Sequence, residues 1–227
     1  MKQNFDKVTL EMMLGLMEGH TKKFLEPGGG IMLRHDIDDD FEKSYRLSLM
    51  EEEYGIKSTY FVLNTARYWN TPGMWPKLRD MQHMGHDIGW HNNVITEFLT
   101  SREAVSITRL INDVLTDFRC ADIKINGMAS HGDPLCHVHN YINYWIFREC
   151  TRENTMEWLE KHNLEQVSMN DFGIEYDAAW TARDGGIISD SGGKWSCDLV
   201  ETLVEWTKPE NKDKVYQILI HPQWWML

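Results

Sequence analysis

Short apolar runs alternate with amphipathic segments along most of the chain. The runs are rich in β-branched or aromatic residues and end at turn-forming residues, which predicts strands. Between the runs, apolar residues recur at every third or fourth position, which predicts helices. The predicted strands cover 31–33, 58–63, 86–90, 123–129, 186–191 and 215–220, and the predicted helices cover roughly 9–17, 41–54, 72–84, 100–119, 151–162 and 196–204.

The order strand, helix, strand, helix implies parallel strands joined by right-handed crossovers, in an open doubly wound sheet or a barrel. Polar residues follow the carboxyl ends of strands that are spread over the whole chain. A barrel brings all of these ends to one rim, so it explains the pattern better than an open sheet. We therefore predict an α/β fold, a distorted or incomplete (β/α) barrel of about seven strands. The polar residues in question are Asp36, Asp38, His91, His131, Asp190 and His221.

Two carboxylates, Asp36 and Asp38, come shortly after the first predicted strand, 31–33. Side chains alternate along an extended chain, so Asp36 and Asp38 point to the same side and share a small volume. Their repulsion must be offset by a cation, a shared proton or an arginine, and Arg34 and Arg183 are the candidate arginines. Asp39 and Asp40 instead suit the start of the next helix.

Composition narrows the class of protein. The 227 residues suit one domain, 1–227, and the net charge of −12 argues against nucleic acid as a partner. Four cysteines without C-x-x-C spacing suit free thiols in a reducing compartment. Acidic residues within the first 19 positions fit neither a secretory signal nor a membrane span, so we predict a cytoplasmic protein without a membrane partner. The oligomeric state cannot be predicted.

The segments 33–38 (LRHDID), 85–91 (GHDIGWH), 130–135 (SHGDPL), 189–192 (SDSG) and 218–225 (ILIHPQWW) together resemble the polysaccharide deacetylase, or NodB-homology, superfamily. They are most similar to a little-characterised branch of it. The resemblance implies a NodB-like distorted barrel with a divalent metal, Zn²⁺, as cofactor. By position it makes Asp36 the catalytic base, Asp38 a metal ligand, His91 the first histidine of the H-x-x-x-H motif and His221 the general acid.

The chain departs from this pattern at position 95, where Ile95 replaces the second histidine of the motif. An open zinc site usually has three protein ligands. His131 is the predicted third ligand, although a histidine that only holds the turn before Pro134 would have the same sequence, and Asn93 and Asp190 are weaker candidates.

The leading hypothesis is a metal-dependent hydrolase of a C–N amide bond that deacetylates an N-acylated sugar. Asp36 would accept the proton of the attacking water and His221 would protonate the leaving amine. Arg34, Asp190, Trp195 and Trp225 are the predicted substrate-binding residues, although core packing also suits the tryptophans. The alternatives are a sugar- or metabolite-binding protein on a degenerate deacetylase scaffold, a metal-dependent hydrolase of another small substrate, and a phosphohydrolase, which Asp39 and Asp40 disfavour.

Overall fold

A computed structural model describes residues 5–102, 105–152 and 154–227. The strands of this part of the chain are β1 (Thr21–Lys22), β2 (Gly30–Ile37), β3 (Thr59–Leu63), β4 (Asp87–Asn92), β5 (Ile125–Ser130), β6 (Tyr176–Asp177), β7 (Gly186–Ser189) and β8 (Val215–Ile220). The α-helices are α1 (Lys7–Met17), α2 (Phe41–Glu53), α3 (Met74–His83), α4 (Val94–Thr100), α5 (Ile107–Cys120), α6 (Pro134–His139), α7 (Thr155–Lys161) and α8 (Leu199–Trp206).

Seven strands form one parallel sheet in the order β6-β5-β4-β3-β2-β8-β7, and β1 pairs with the first half of β2. The sheet is curled, as a contact between distant strands shows. The side chain of Gln217 on β8 donates a hydrogen bond (3.1 Å) to the carbonyl oxygen of Ala178, which directly follows the edge strand β6. The fold is thus an incomplete (β/α) barrel of seven parallel strands, as predicted from the sequence.

The inside of the barrel is filled by aromatic rings that lie against glycines. Phe24 stacks on Tyr176 with 4.9 Å between ring centroids. A Cβ atom at Gly127 would lie 2.1 Å from the Tyr176 ring, and one at Gly89 would lie 2.5 Å from the Phe61 ring. Only glycine leaves room for these rings, so β4 and β5 need glycine where they face the interior.

Two larger apolar clusters lie between the outside of the sheet and the helices. The helix predicted to span 100–119 corresponds to α5, which begins only at Ile107, and Thr100, predicted to cap it, is instead the last residue of a separate helix, α4. The Ser106 hydroxyl accepts a hydrogen bond (3.2 Å) from the backbone N–H of Arg109 and caps α5. The predicted capping partner of Thr100, Glu103, lies outside the described residues. Among the described residues, no helix has the length and apolar character needed to cross a bilayer.

Candidate active site

Side chains from the carboxyl ends of four strands meet at one rim of the barrel. Asp36 belongs to β2 and Asp38 follows it, His91 belongs to β4, and His131 and His221 follow β5 and β8. The structure therefore brings together the five residues that were predicted to carry the chemistry. The parallel arrangement accounts for this, because every strand points the same way and ends at the same rim.

Asp38, His91 and His131 form a cluster with the composition of a metal site. Oδ1 of Asp38 lies 3.1 Å from Nε2 of His91 and 3.2 Å from Nδ1 of His131, and the two ring nitrogens are 3.3 Å apart. Ligand atoms bound to a tetrahedral Zn²⁺ are separated by about 3.3–3.4 Å, as follows from zinc–ligand distances near 2.0–2.1 Å. The residues present thus fit a divalent metal in both spacing and donor chemistry.

The orientation of His91 also suits a ligand. Its ring is almost fully buried, and its Nδ1 donates a hydrogen bond (2.9 Å) to the carbonyl oxygen of Ala129 on the neighbouring strand. Since Nδ1 faces this carbonyl oxygen, Nε2 is the ring nitrogen that is directed towards Asp38 and His131.

His131 is held by its backbone on both sides. Its N–H donates to the carbonyl oxygen of Asn92 at the end of β4 (2.9 Å), and its own carbonyl oxygen accepts a bond from Nδ2 of Asn143 (3.1 Å). Asn143 is fully buried, and its Oδ1 accepts bonds from the backbone N–H groups of Ile95 (3.0 Å) and Thr96 (3.2 Å). One amide therefore connects the start of α4 to the loop that carries His131.

Ile95, the position where the family pattern has a histidine, is a fully buried member of the larger apolar cluster. Its side chain packs among apolar residues, and Asn143 binds its backbone. The cluster therefore has its second histidine at 131, directly after β5, rather than at 95 on α4.

Asp36 is paired with Arg34 through two short hydrogen bonds. Nε and Nη2 of Arg34 lie 2.7 Å and 2.6 Å from the two carboxylate oxygens, and both side chains are buried. Burial by itself would raise the pKa of Asp36, but the adjacent guanidinium and His91 hold it below its usual range. Asp36 is thus kept ionised, 3.6 Å from Nε2 of His91.

His221 is oriented by Asp190. The carboxylate of Asp190 accepts bonds from Nδ1 of His221 (2.7 Å), from its backbone N–H (3.0 Å) and from Nε1 of Trp225 (3.1 Å). Burial by itself would lower the pKa of His221, but the bond to Asp190 and the charge of Asp36 raise it above 6.5. Nδ1 of His221 is thus occupied by Asp190, and its Nε2 lies 3.9 Å from Oδ2 of Asp38.

The four predicted substrate-binding residues, Arg34, Asp190, Trp195 and Trp225, all have partners within the protein. Arg34 is occupied by Asp36, and Asp190 is fully buried and occupied by His221. Trp225 is fully buried against Phe5, with ring centroids 4.9 Å apart, so its ring is closed to a sugar. Contact of these three residues with a substrate stays a prediction, and their observed partners within the protein are Asp36, His221 and Phe5. Trp195 is half-buried and packs on Phe5 as part of an apolar cluster.

Two residues near the site were not among the predicted site residues. Asn143 lies in an aromatic segment (YINYW) that predicts only packing, and Gln223 follows His221 by two positions. Nε2 of Gln223 donates a hydrogen bond (3.1 Å) to Oδ2 of Asp38. Proximity to His221 in the sequence is the only signal that could have pointed to Gln223.

Comparison with known proteins agrees with this architecture. No protein-family model and no curated protein sequence matches the chain. Among solved structures, the chitin deacetylase of the fungal pathogen Colletotrichum lindemuthianum superimposes with a TM-score of 0.51 at 13% identity, covering 90% of this chain and 78% of that one. The peptidoglycan deacetylase PdaC of Bacillus subtilis gives 0.34 at 12% identity, covering 87% of this chain and 90% of that one. The curled seven-stranded sheet and the first of these superpositions show that the chain has the fold of the NodB-type polysaccharide deacetylases.

Proposed function

We propose that the protein is a metal-dependent hydrolase of a C–N amide bond that deacetylates an N-acylated sugar, with Zn²⁺ as the metal. The observation that carries the proposal is the convergence of Asp38, His91 and His131 beside a carboxylate, Asp36, that is paired with Arg34 and an imidazole, His221, that is bonded to Asp190. One carboxylate and two histidines, with room for water, make up the usual composition of an open catalytic zinc site.

The residues around this cluster fit the two proton transfers that amide hydrolysis requires. A bound Zn²⁺ would polarise the acyl oxygen and lower the pKa of the attacking water. Asp36, kept ionised by Arg34, accepts the proton of that water. His221, oriented by Asp190, donates a proton to the leaving nitrogen through Nε2.

The choice of an N-acylated sugar rests on the resemblance of the motifs and on the fold. A cytoplasmic location is part of the same proposal, and it is supported by four cysteines that form no disulfide. In that compartment the substrate would be a soluble or nucleotide-linked sugar rather than a wall polymer.

The proposal is tested by following acetate release from N-acetylated amino sugars by the zinc-loaded protein. Asp36→Asn and His221→Ala should each lower the rate by about 10²–10⁴-fold, because each removes one proton transfer and leaves the metal ligands in place. Asp113→Asn, on the exposed face of α5, is the matched control and should keep full activity.

Bound zinc should remain near one equivalent in both active-site variants. An Asp36→Asn protein with normal activity would rule out the proposed base. If the protein binds sugar, binds no zinc and does not hydrolyse the amide, the result favours the alternative hypothesis of a binding protein on a degenerate scaffold.

A further inference from the structure

Gln223 connects the strand end that carries His221 to the metal-ligand candidate Asp38. It lies in the short helical turn Pro222–Trp224 that follows β8. Its Nε2 is 3.1 Å from Oδ2 of Asp38, a residue 185 positions away in the sequence. The turn is fixed in place because the carbonyl oxygen of Gln223 accepts a bond (3.2 Å) from Nζ of Lys43.

This contact divides the two oxygens of Asp38 between different partners. Oδ1 faces the ring nitrogens of His91 and His131 at 3.1 Å and 3.2 Å. Oδ2 faces the amide of Gln223 instead. A carboxylate with one oxygen engaged by an amide donor has only the other oxygen to offer a metal, whereas a free carboxylate can bind through both.

The side-chain amide of Gln223 contributes little to the stability of the fold. Its orientation follows from the chemistry, since an ionised carboxylate at 3.1 Å requires the NH₂ group and not the carbonyl oxygen. The carbonyl oxygen Oε1 is then buried and has no hydrogen-bond partner among the described residues. A buried acceptor without a partner costs about 1–3 kcal/mol, so an apolar side chain of similar length should serve folding at least as well.

We propose that Gln223 is a positioning residue that keeps Asp38 a ligand through one oxygen only. This inference rests on the proposed function, since it concerns the same metal. Its consequence is that the metal retains open positions for water and for the acyl oxygen of the substrate. A second oxygen from Asp38 would fill one of these positions.

The test compares the unmodified protein with Q223M, which keeps the length of the side chain and removes the donor, and with Q223E, which keeps the shape and removes the donor. Q82M is the matched control, because Gln82 binds the carbonyl oxygen of Lys124 away from the site. Co²⁺ serves as the probe metal, and three properties are measured: the visible absorption of bound Co²⁺, the number of oxygen neighbours from X-ray absorption, and the melting temperature of the metal-free protein.

For Q223M we expect one additional oxygen neighbour and a weaker visible absorption, because a metal with more ligands absorbs less. Loss of an outer hydrogen bond to a ligand typically lowers metal affinity or activity by about 10–100-fold, and we expect kcat to fall by that factor. The melting temperature of metal-free Q223M should equal that of the unmodified protein. Q223E should also change the Co²⁺ spectrum, and Q82M should change none of these properties.

The possible failures are distinguishable. If the unmodified protein binds Co²⁺ and Q223M and Q223E show the same spectrum as Q82M, the role of Gln223 is wrong and the proposed function stands. If Q223M lowers the melting temperature of the metal-free protein, Gln223 is structural and the inference is overturned. If the unmodified protein binds no Co²⁺, both proposals are overturned.

Discussion

Nδ1 of His91 lies 2.9 Å from the backbone carbonyl oxygen of Ala129, and this bond decides which ring nitrogen faces the site. Nδ1 donates to this oxygen, so Nε2 is the ring nitrogen that is directed at Asp38 and His131. The bond joins β4 to its neighbour β5, and His131 follows β5 directly. The same pair of strands thus orients one candidate ligand and supplies the next.

His131 provides the first prediction, because a histidine that only held the turn would have no effect on metal binding. His131→Ala should abolish tight zinc binding, since it removes a ligand atom 3.2 Å from Oδ1 of Asp38 and 3.3 Å from Nε2 of His91. Titration calorimetry of the metal-free protein measures this directly. His137→Ala, at an exposed position of α6, is the control and should bind zinc normally. Equal zinc affinity in the two variants would remove His131 from the site.

Asn143 provides a second prediction, which separates its two roles. Asn143→Asp keeps the oxygen that accepts from the N–H groups of Ile95 and Thr96, and it loses the donor to the carbonyl oxygen of His131. Asn143→Ala loses both. We expect Asn143→Asp to weaken zinc binding by about 10–100-fold, as is typical when a group that orients a ligand is lost.

Asn143→Ala should in addition lower the free energy of unfolding by about 1–2 kcal/mol, because the first turn of α4 loses its cap. Zinc titration and urea denaturation of the metal-free variants separate these effects. Normal zinc affinity in both variants would show that Asn143 does not position His131.

Most of the barrel could be predicted from the sequence, because strands and helices are local patterns. Strand β8 has the predicted bounds, and the second, third and fourth predicted strands each correspond to a strand of the sheet within about two residues at either end. The short strand β6 and the helix α6 were not predicted, because two residues of strand and one and a half turns of helix carry too little periodicity. The start of α8 was predicted at Ser196, but Asp198 caps the helix.

The candidate site could be predicted only in part. Residues that follow a strand, such as Asp38 and His91, are recognisable because parallel strands end at one rim. The partners of these residues depend on contacts between distant parts of the chain. Gln223 bonds to Asp38 across 185 positions, and Asp190 bonds to His221 across 31, so no spacing rule reveals either pair. Asp190 and Trp225 were therefore predicted to bind the substrate, whereas in the structure Asp190 bonds to His221 and Trp225 bonds to Asp190.

Asp177 provides a prediction on pH and stability. This residue is almost fully buried on β6, and one carboxylate oxygen, Oδ2, has no hydrogen-bond partner among the described residues. Burial raises its pKa to about 6, from 3.8 in an exposed chain, although the backbone N–H of Ala179 and the charge of Arg34 act in the opposite direction. The folded protein therefore binds this proton more tightly than the unfolded chain does.

The sign of the effect follows from linkage. The contribution of protonated Asp177 to stability is fully present below pH 3.8 and is lost as the pH rises through about 6. Asp177→Asn cannot ionise, so its free energy of unfolding should rise relative to that of the unmodified protein between pH 4 and about 7, by on the order of 2–3 kcal/mol. Urea denaturation at a series of pH values measures the difference. A difference that does not vary with pH would show that Asp177 titrates as an exposed carboxylate.

The central claim is that Asp38, His91 and His131 hold one metal at the rim of the barrel. Anomalous scattering measured on both sides of the zinc absorption edge, on crystals grown with Zn²⁺, tests it most directly. We expect one strong peak about 2.0–2.2 Å from Oδ1 of Asp38, Nε2 of His91 and Nδ1 of His131. A zinc peak at other residues, or no peak while the three side chains keep their separations of 3.1–3.3 Å, would contradict the account.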